Sequence, residues 1–89
     1  GVLPASLLNQ LSQLQILSLE HNADLIRISG YIDLPLLTQL DLSHCGLADI
    51  PKLVDCQRLQ YLDVGYNSFV GNPQAPPLNT CSALLYLDM

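Results

Sequence analysis

The sequence predicts an α/β solenoid, with parallel strands lining a concave sheet and irregular or short-helical returns covering the convex side. Three observations carry that expectation. A nine-residue pattern recurs as Leu14-x-x-Leu17-x-Leu19-x-x-Asn22, Leu37-x-x-Leu40-x-Leu42-x-x-Cys45 and Leu59-x-x-Leu62-x-Val64-x-x-Asn67, and a fourth copy, Leu84-x-x-Leu87-x-Met89, stops partway. The copies are offset by 23, 22 and 25 residues, the period of a unit that buries its apolar face only by stacking on its neighbours. Within each copy, apolar and other residues alternate with the two-residue period of a half-buried strand.

Each element follows from local chemistry. Pro4 to Gln13 sets Leu7, Leu8 and Leu11 at helical spacing behind a proline suited to a first turn, so a helix is expected there. A strand follows near 16–20. Ser29 to Pro35 holds Gly30 and Pro35 and reads as extended or loosely turned, leading to a second strand near 39–43. Pro51 to Gln57 repeats the proline-first design with Leu53 and Cys56, ahead of a third strand near 61–65. Ser68 to Thr80 carries Gly71, Pro73, Pro76 and Pro77 and reads as a loop with at most a short helical turn. The last strand lies near 86–89.

The intervening stretches are long enough for the crossovers that parallel pairing requires. One further position, three residues ahead of each pattern, is filled by Leu11, Leu34, Cys56 and Cys81, which marks an additional buried layer. Leu25 with Ile28, Leu47 with Ile50, and Phe69 mark inward points of the descending segments.

Composition narrows the function. Apolar residues make up 49% of the chain, yet no run reaches the roughly 18 needed to span a membrane. Eight acidic residues against Arg27, Lys52 and Arg58 give a formal charge of −5. No basic stripe is available to neutralise phosphates, and no basic amphipathic helix to lie on a membrane, so nucleic-acid binding and membrane insertion are not expected. A basic or neutral partner is favoured by electrostatic steering. Both ends lack polar capping repeats, so residues 1–89 are expected to be one segment of about four repeats within a longer solenoid, next to neighbouring repeats of the same chain.

Asn22, Cys45 and Asn67 share the ninth position, where the strand turns away and backbone groups need partners. A side-chain hydrogen-bond ladder accounts for them without a functional role. Cys56 and Cys81 read as small buried apolar residues in adjacent repeats, close enough in register that a disulfide is conceivable, and the redox compartment stays open. His21 and His44 beside Glu20 and Asp41 offer nitrogen and oxygen ligands, but nothing fixes a tetrahedral site, and exposed polar residues account for them better than a metal. No nucleophile elbow or phosphate loop occurs, and His44 and Cys45 face opposite sides of the strand, so no catalysis and no cofactor are expected.

The outward strand positions carry the binding reading. Their columns run Ile16, Gln39, Tyr61, Tyr86, then Ser18, Asp41, Asp63, Asp88, then Glu20, Ser43, Gly65, then His21, His44, Tyr66. Tyrosine offers a large rigid area with a polar tip, a favoured anchor at interfaces. The bland alternative is that the aspartates only keep the surface soluble.

The pattern as a whole resembles the leucine-rich-repeat family, and the resemblance covers essentially the full chain. Cys56-Gln-Arg-Leu59 with Leu62, and Cys81-Ser-Ala-Leu84 with Leu87, are similar to a segment of plant-type extracellular repeats, as is the turn Asn67-Ser-Phe69-Val-Gly71-Asn-Pro73. Leu47-Ala-Asp-Ile50-Pro51 departs from that subtype, and the proline of the turn comes one residue early. The resemblance implies ligand recognition on the concave strand residues, here Ile16, Ser18, Glu20, His21, Gln39, Asp41, Ser43, His44, Tyr61, Asp63, Tyr66, Tyr86 and Asp88. Three roles follow as alternatives: a non-catalytic protein-interaction scaffold binding a protein or peptide, a ligand-recognising receptor ectodomain, and an architectural subunit of a large assembly. No N-x-S/T sequon occurs, which leans slightly away from the ectodomain.

Overall fold

Along the chain the elements are β1 (Val2–Pro4), α1 (Ala5–Leu8), β2 (Ile16–Ser18), β3 (Arg27–Ser29), β4 (Tyr31–Ile32), β5 (Gln39–Asp41), β6 (Lys52–Leu53), β7 (Tyr61–Asp63) and β8 (Tyr86–Asp88). The computed structural model describes residues 1–69 and the backbone of residues 86–88. The expectations for Cys81, Leu84, Met89, the return from 70 to 80 and the side chains of Tyr86, Leu87 and Asp88 lie outside the described residues.

Alternating leucines give the strands one apolar face, and parallel stacking buries it. Strands β2, β5, β7 and β8 form one four-stranded sheet in that order, while β1 pairs β3 and β4 pairs β6. Every pair among the described residues is parallel. Leu17, Leu40, Leu62 and Leu87 are in mutual register across the large sheet. Equivalent residues of successive repeats thus stand side by side.

The strands are three residues long rather than five, but repeat-to-repeat hydrogen bonding continues past them. Leu19 N–H donates to Asp41 C=O (2.8 Å) and His21 N–H to Ser43 C=O (3.1 Å); Leu42 and His44 do the same to Asp63 and Gly65. Entry into each strand is also uniform. The N–H groups of Leu14, Leu37 and Leu59 donate to the carbonyls of Leu11, Leu34 and Cys56, so the extra registered position opens a tight turn.

Burial grows from the first repeat to the next two. Leu37, Leu40, Leu42, Leu59, Leu62 and Val64 are all essentially inaccessible, whereas Leu14, Leu17 and Leu19 are only partly buried against the same core. Each fully buried leucine contributes about 1.5–3 kcal/mol over an exposed one, so repeats two and three hold most of the apolar stabilisation among the described residues. Leu34 and Cys56 join this core, but Leu11 is 52% exposed, contrary to its place in the layer.

The returns depart from expectation in two places. The helix expected from Pro4 to Gln13 is a single turn, α1, which buries Ala5 and Leu8 and leaves Leu7 exposed. Pro51 to Gln57 is not helical at all. Lys52 and Leu53 extend as β6 in register with Tyr31 and Ile32, because pairing places both Leu53 and Ile32 in the core, which one helical turn here would forgo. The segment from Ser29 to Pro35 is extended as expected, and Gly30, at φ 80°, supplies the left-handed residue between β3 and β4.

Asn9 holds this side together through a contact the leucine pattern does not show. Its Nδ2 donates to Tyr31 C=O (2.9 Å) and its Oδ1 accepts Asp33 N–H (2.8 Å), so one amide satisfies two backbone groups of the next repeat.

Candidate functional site

The outward face of the four-stranded sheet and the turns leaving its strands gather most of the expected site residues. Register sets Ile16, Gln39 and Tyr61 in one row and Ser18, Asp41 and Asp63 in the next. Tyr86 and Asp88 continue those rows in backbone register. Ile16 is 59% exposed, Ser18 and Gln39 are exposed, and Tyr61, Asp41 and Asp63 are half-buried.

The aspartates first serve their own chain. Asp41 Oδ1 accepts the N–H of Ser43 (2.9 Å) and its hydroxyl (2.7 Å), and Asp63 Oδ1 accepts the N–H of Gly65 (2.9 Å). Each carboxylate therefore closes the bend two residues on, a local side-chain cap that fixes its orientation. Asp63 Oδ2 also receives the Tyr61 hydroxyl at 3.4 Å.

Ser43 is a correction to the expected site. At 4% exposure it is buried with its hydroxyl turned to Asp41, and no partner can reach it. Alternation along the strand fails here because the chain is already bending, which a strict two-residue period does not register.

Beyond the bend, His21, His44 and Tyr66 all take left-handed backbone conformations, with φ of 62°, 54° and 55°. This region is uncommon for residues other than glycine, and its recurrence at one register position shows that the turn geometry demands it. The shared conformation aims the three side chains alike. His21 and His44 stack with ring centroids 4.6 Å apart and planes 14° apart, and His44 and Tyr66 with centroids 4.3 Å and planes 6° apart. The result is a continuous pile of three rings at the sheet margin, ending in Tyr66, which is 74% exposed. Sequence reading placed the three in one column; the parallel stacking comes from the left-handed turn, for which no glycine or asparagine gave a signal.

A carboxylate accompanies every ring. Glu20 lies 3.9 Å from His21 Nε2. Asp41 caps the residue before His44, and Asp63 the residue before Tyr66. Two of the basic residues are engaged on the return side, Arg27 with Asp49 at 3.3 Å and Lys52 over the Tyr31 ring at 5.6 Å. Among the described residues no group of three or more His, Cys, Asp or Glu is placed to hold a metal ion.

The ninth-position residues act on backbone, with one difference. Asn67 Nδ2 donates to Val64 and Gly65 of its own repeat and to Leu42 C=O of the previous one (2.9 Å each for Val64 and Leu42), while Oδ1 accepts Leu47 N–H at 3.0 Å. Cys45 Sγ likewise reaches Leu19 C=O (3.0 Å) in the previous repeat. Asn22 is exposed rather than buried, and its amide bonds only within its own repeat, to Leu19 and Glu20. Cys56 is buried with its thiol toward the carbonyls of Val54 and Ile32.

With this geometry in hand, comparison with known proteins gives one result. The Leucine Rich Repeat family model matches residues 36–56, the second repeat from its strand through its return. Over those residues the chain is similar to the leucine-rich-repeat family. Domains of this family generally mediate protein–protein interaction and are typically non-catalytic, and the match implies a repeat solenoid fold. No curated protein and no solved structure matches the chain. Among the described residues no helix is long and apolar enough to cross a membrane.

Proposed function

We propose that this chain is a non-catalytic interaction scaffold that binds a protein or peptide through the outward face of its four-stranded sheet. In this reading the sheet is the concave wall of a solenoid, with α1 and the paired return strands on its convex side. The observation that carries it is the exposed ring pile His21–His44–Tyr66 beside the row of Tyr61 and Ile16. Rigid aromatic area that is not spent on the core is what interface anchors are made of. The binding residues are then Ile16, Ser18, Glu20, His21, Gln39, Asp41, His44, Tyr61, Asp63 and Tyr66, with Tyr86 and Asp88 continuing the rows.

The experiment is site-specific photocrosslinking in the full-length protein in its native cells. Crosslinkers at Tyr61, Tyr66 and Gln39 are expected to capture one common protein, which crosslinkers at Lys52 and Gln57 on the returns do not. Affinity for that protein is then expected to fall at least about thirtyfold in Tyr61→Ala, the loss of an anchor of roughly 2 kcal/mol. Capture from Lys52 and Gln57 alone would transfer the role to the return side and support the architectural reading.

A further inference from the structure

Like charges set side by side on a sheet mark where a counter-charge belongs, and the middle of the outward face holds such a pair. Asp41 on β5 and Asp63 on β7 are in direct register, and both are half-buried. Each of these strands has a paired strand on either side: β2 and β7 flank β5, and β5 and β8 flank β7. What the two carboxylates leave open is therefore the outer surface of the sheet, not an edge. Their Oδ1 atoms are held by the N–H groups of Ser43 and Gly65, so both are oriented before any partner arrives. The Tyr61 hydroxyl reaches Asp63 Oδ2 at 3.4 Å, a contact that brings a proton but no positive charge.

The cations of the chain lie elsewhere. Among the described residues neither lysine nor arginine occupies an outward position of the four-stranded sheet. Arg27 pairs with Asp49 and Lys52 lies over the Tyr31 ring, both on the returns, and Arg58 sits in the turn that leads into β7. Ser18, Gln39 and Tyr61, the described neighbours of the pair in its own row and the next, are neutral. Opposed carboxylates cost a sheet stability until a cation lies with them. Asp49 has its arginine on the return side, whereas Asp41 and Asp63 need theirs from outside the described chain.

We propose that the middle of the sheet face takes a basic stretch of the partner protein, a lysine or arginine head resting over Asp41 and Asp63 and its apolar stem along Tyr61 and Gln39. The inference rests on the proposed sheet-face binding and names the chemistry of what binds there. A long cationic side chain fits because its stem covers aromatic surface while its head stays with the carboxylates. A free metal ion fits less well. One oxygen of each carboxylate is already committed, and no group of three or more His, Cys, Asp or Glu among the described residues is placed to hold one. An acidic segment or a nucleic acid adds to the repulsion.

The test uses a short lysine–glycine peptide and its fully acetylated form, which keeps the stems and removes the charge. Each is titrated into the isotopically labelled full-length protein at low ionic strength, where attraction between exposed charges is least screened. NMR follows the carboxyl signals of Asp41 and Asp63 and the side-chain signals of Gln39 and Tyr61. The charged peptide is expected to shift all four and the acetylated peptide none. Asp41→Asn with Asp63→Asn keeps both Oδ1 acceptors, and is expected to weaken binding about fourfold or more. Asp33→Asn with Asp55→Asn removes the same charge from exposed positions on the returns, and is expected to leave binding nearly unchanged. Equal losses in the two double variants would mean diffuse attraction to an acidic protein and would overturn the proposal. So would equal shifts from calcium at matched ionic strength, which would assign the pair to a metal ion. Photocrosslinking separates this inference from the one beneath it. Crosslinks from Tyr61 and Gln39 to an acidic or uncharged stretch of the partner would keep the binding face and remove the basic segment; crosslinks from Lys52 and Gln57 alone would remove both.

Discussion

Asp41 and Asp63 do two jobs with two oxygens, and the jobs separate by substitution. One oxygen closes the bend after the strand, and the carboxylate charge faces its neighbour across the sheet. Asp41→Ala leaves the Ser43 N–H and hydroxyl without their acceptor in a buried position and is expected to cost about 1–3 kcal/mol in urea denaturation. Asp41→Asn retains that acceptor and removes a like-charge contact, so it is expected to be neutral or slightly stabilising. Equal losses in both variants would show that the charge, not the cap, holds the bend. A second test at this scale concerns Asp55, which has φ 54°. A β-branched side chain is a poor occupant of the left-handed region, so Asp55→Val is expected to destabilise by roughly 1–2 kcal/mol while Asp55→Gly stays near wild type.

At the scale of the element, a small set of side-chain amides and one close backbone approach add to the strand pairing and shared core that join one repeat to the next. Asn67 makes contacts to two repeats, whereas Asn22 serves only its own. Asn67→Ala is therefore expected to cost about 2–3 kcal/mol and Asn22→Ala under about 1 kcal/mol, a contrast that thermal or urea melts resolve. At Gly46 a Cβ would stand 2.5 Å from the Ala23 carbonyl oxygen, a backbone atom that cannot swing aside. Gly46→Ala is expected to push the first two repeats apart and lower stability by more than Asn22→Ala.

These contacts also mark what the sequence does and does not reveal. Leu17, Leu40, Leu62 and their flanking apolar residues announce strands because burial enforces a strict period. Lys52 and Leu53 do not announce theirs. A proline followed by apolar residues three apart suits a helical turn as well as a strand, and only the partner Ile32 in the neighbouring repeat decides. Asn9 is silent for the same reason, since its amide acts on backbone 22 and 24 residues away. The outward columns follow from the period, but Ser43 leaves them and the ring pile forms because the chain turns left-handed after each strand, which composition does not encode.

Across the whole molecule, stability is expected to be graded rather than uniform, because each repeat draws its burial from its neighbours. Two amides isolate that effect. Leu19 N–H donates to Asp41 C=O at 2.8 Å and Leu42 N–H to Asp63 C=O at 2.7 Å, bonds of the same kind at the same register position. Their surroundings differ: Leu42 is fully buried between two repeats, while Leu19 is only partly buried. If the hydrogen bond alone set protection, the two would exchange alike. If local opening follows the burial of the repeat, the only partly buried Leu14, Leu17 and Leu19 lower the opening free energy of the first repeat by about 1.4 kcal/mol or more, and the Leu19 amide exchanges at least about tenfold faster. Native-state hydrogen exchange on the chain measures this directly. Identical protection at Leu19 and Leu42, both equal to the global unfolding free energy, would show instead that the repeats open as one cooperative unit despite the uneven core.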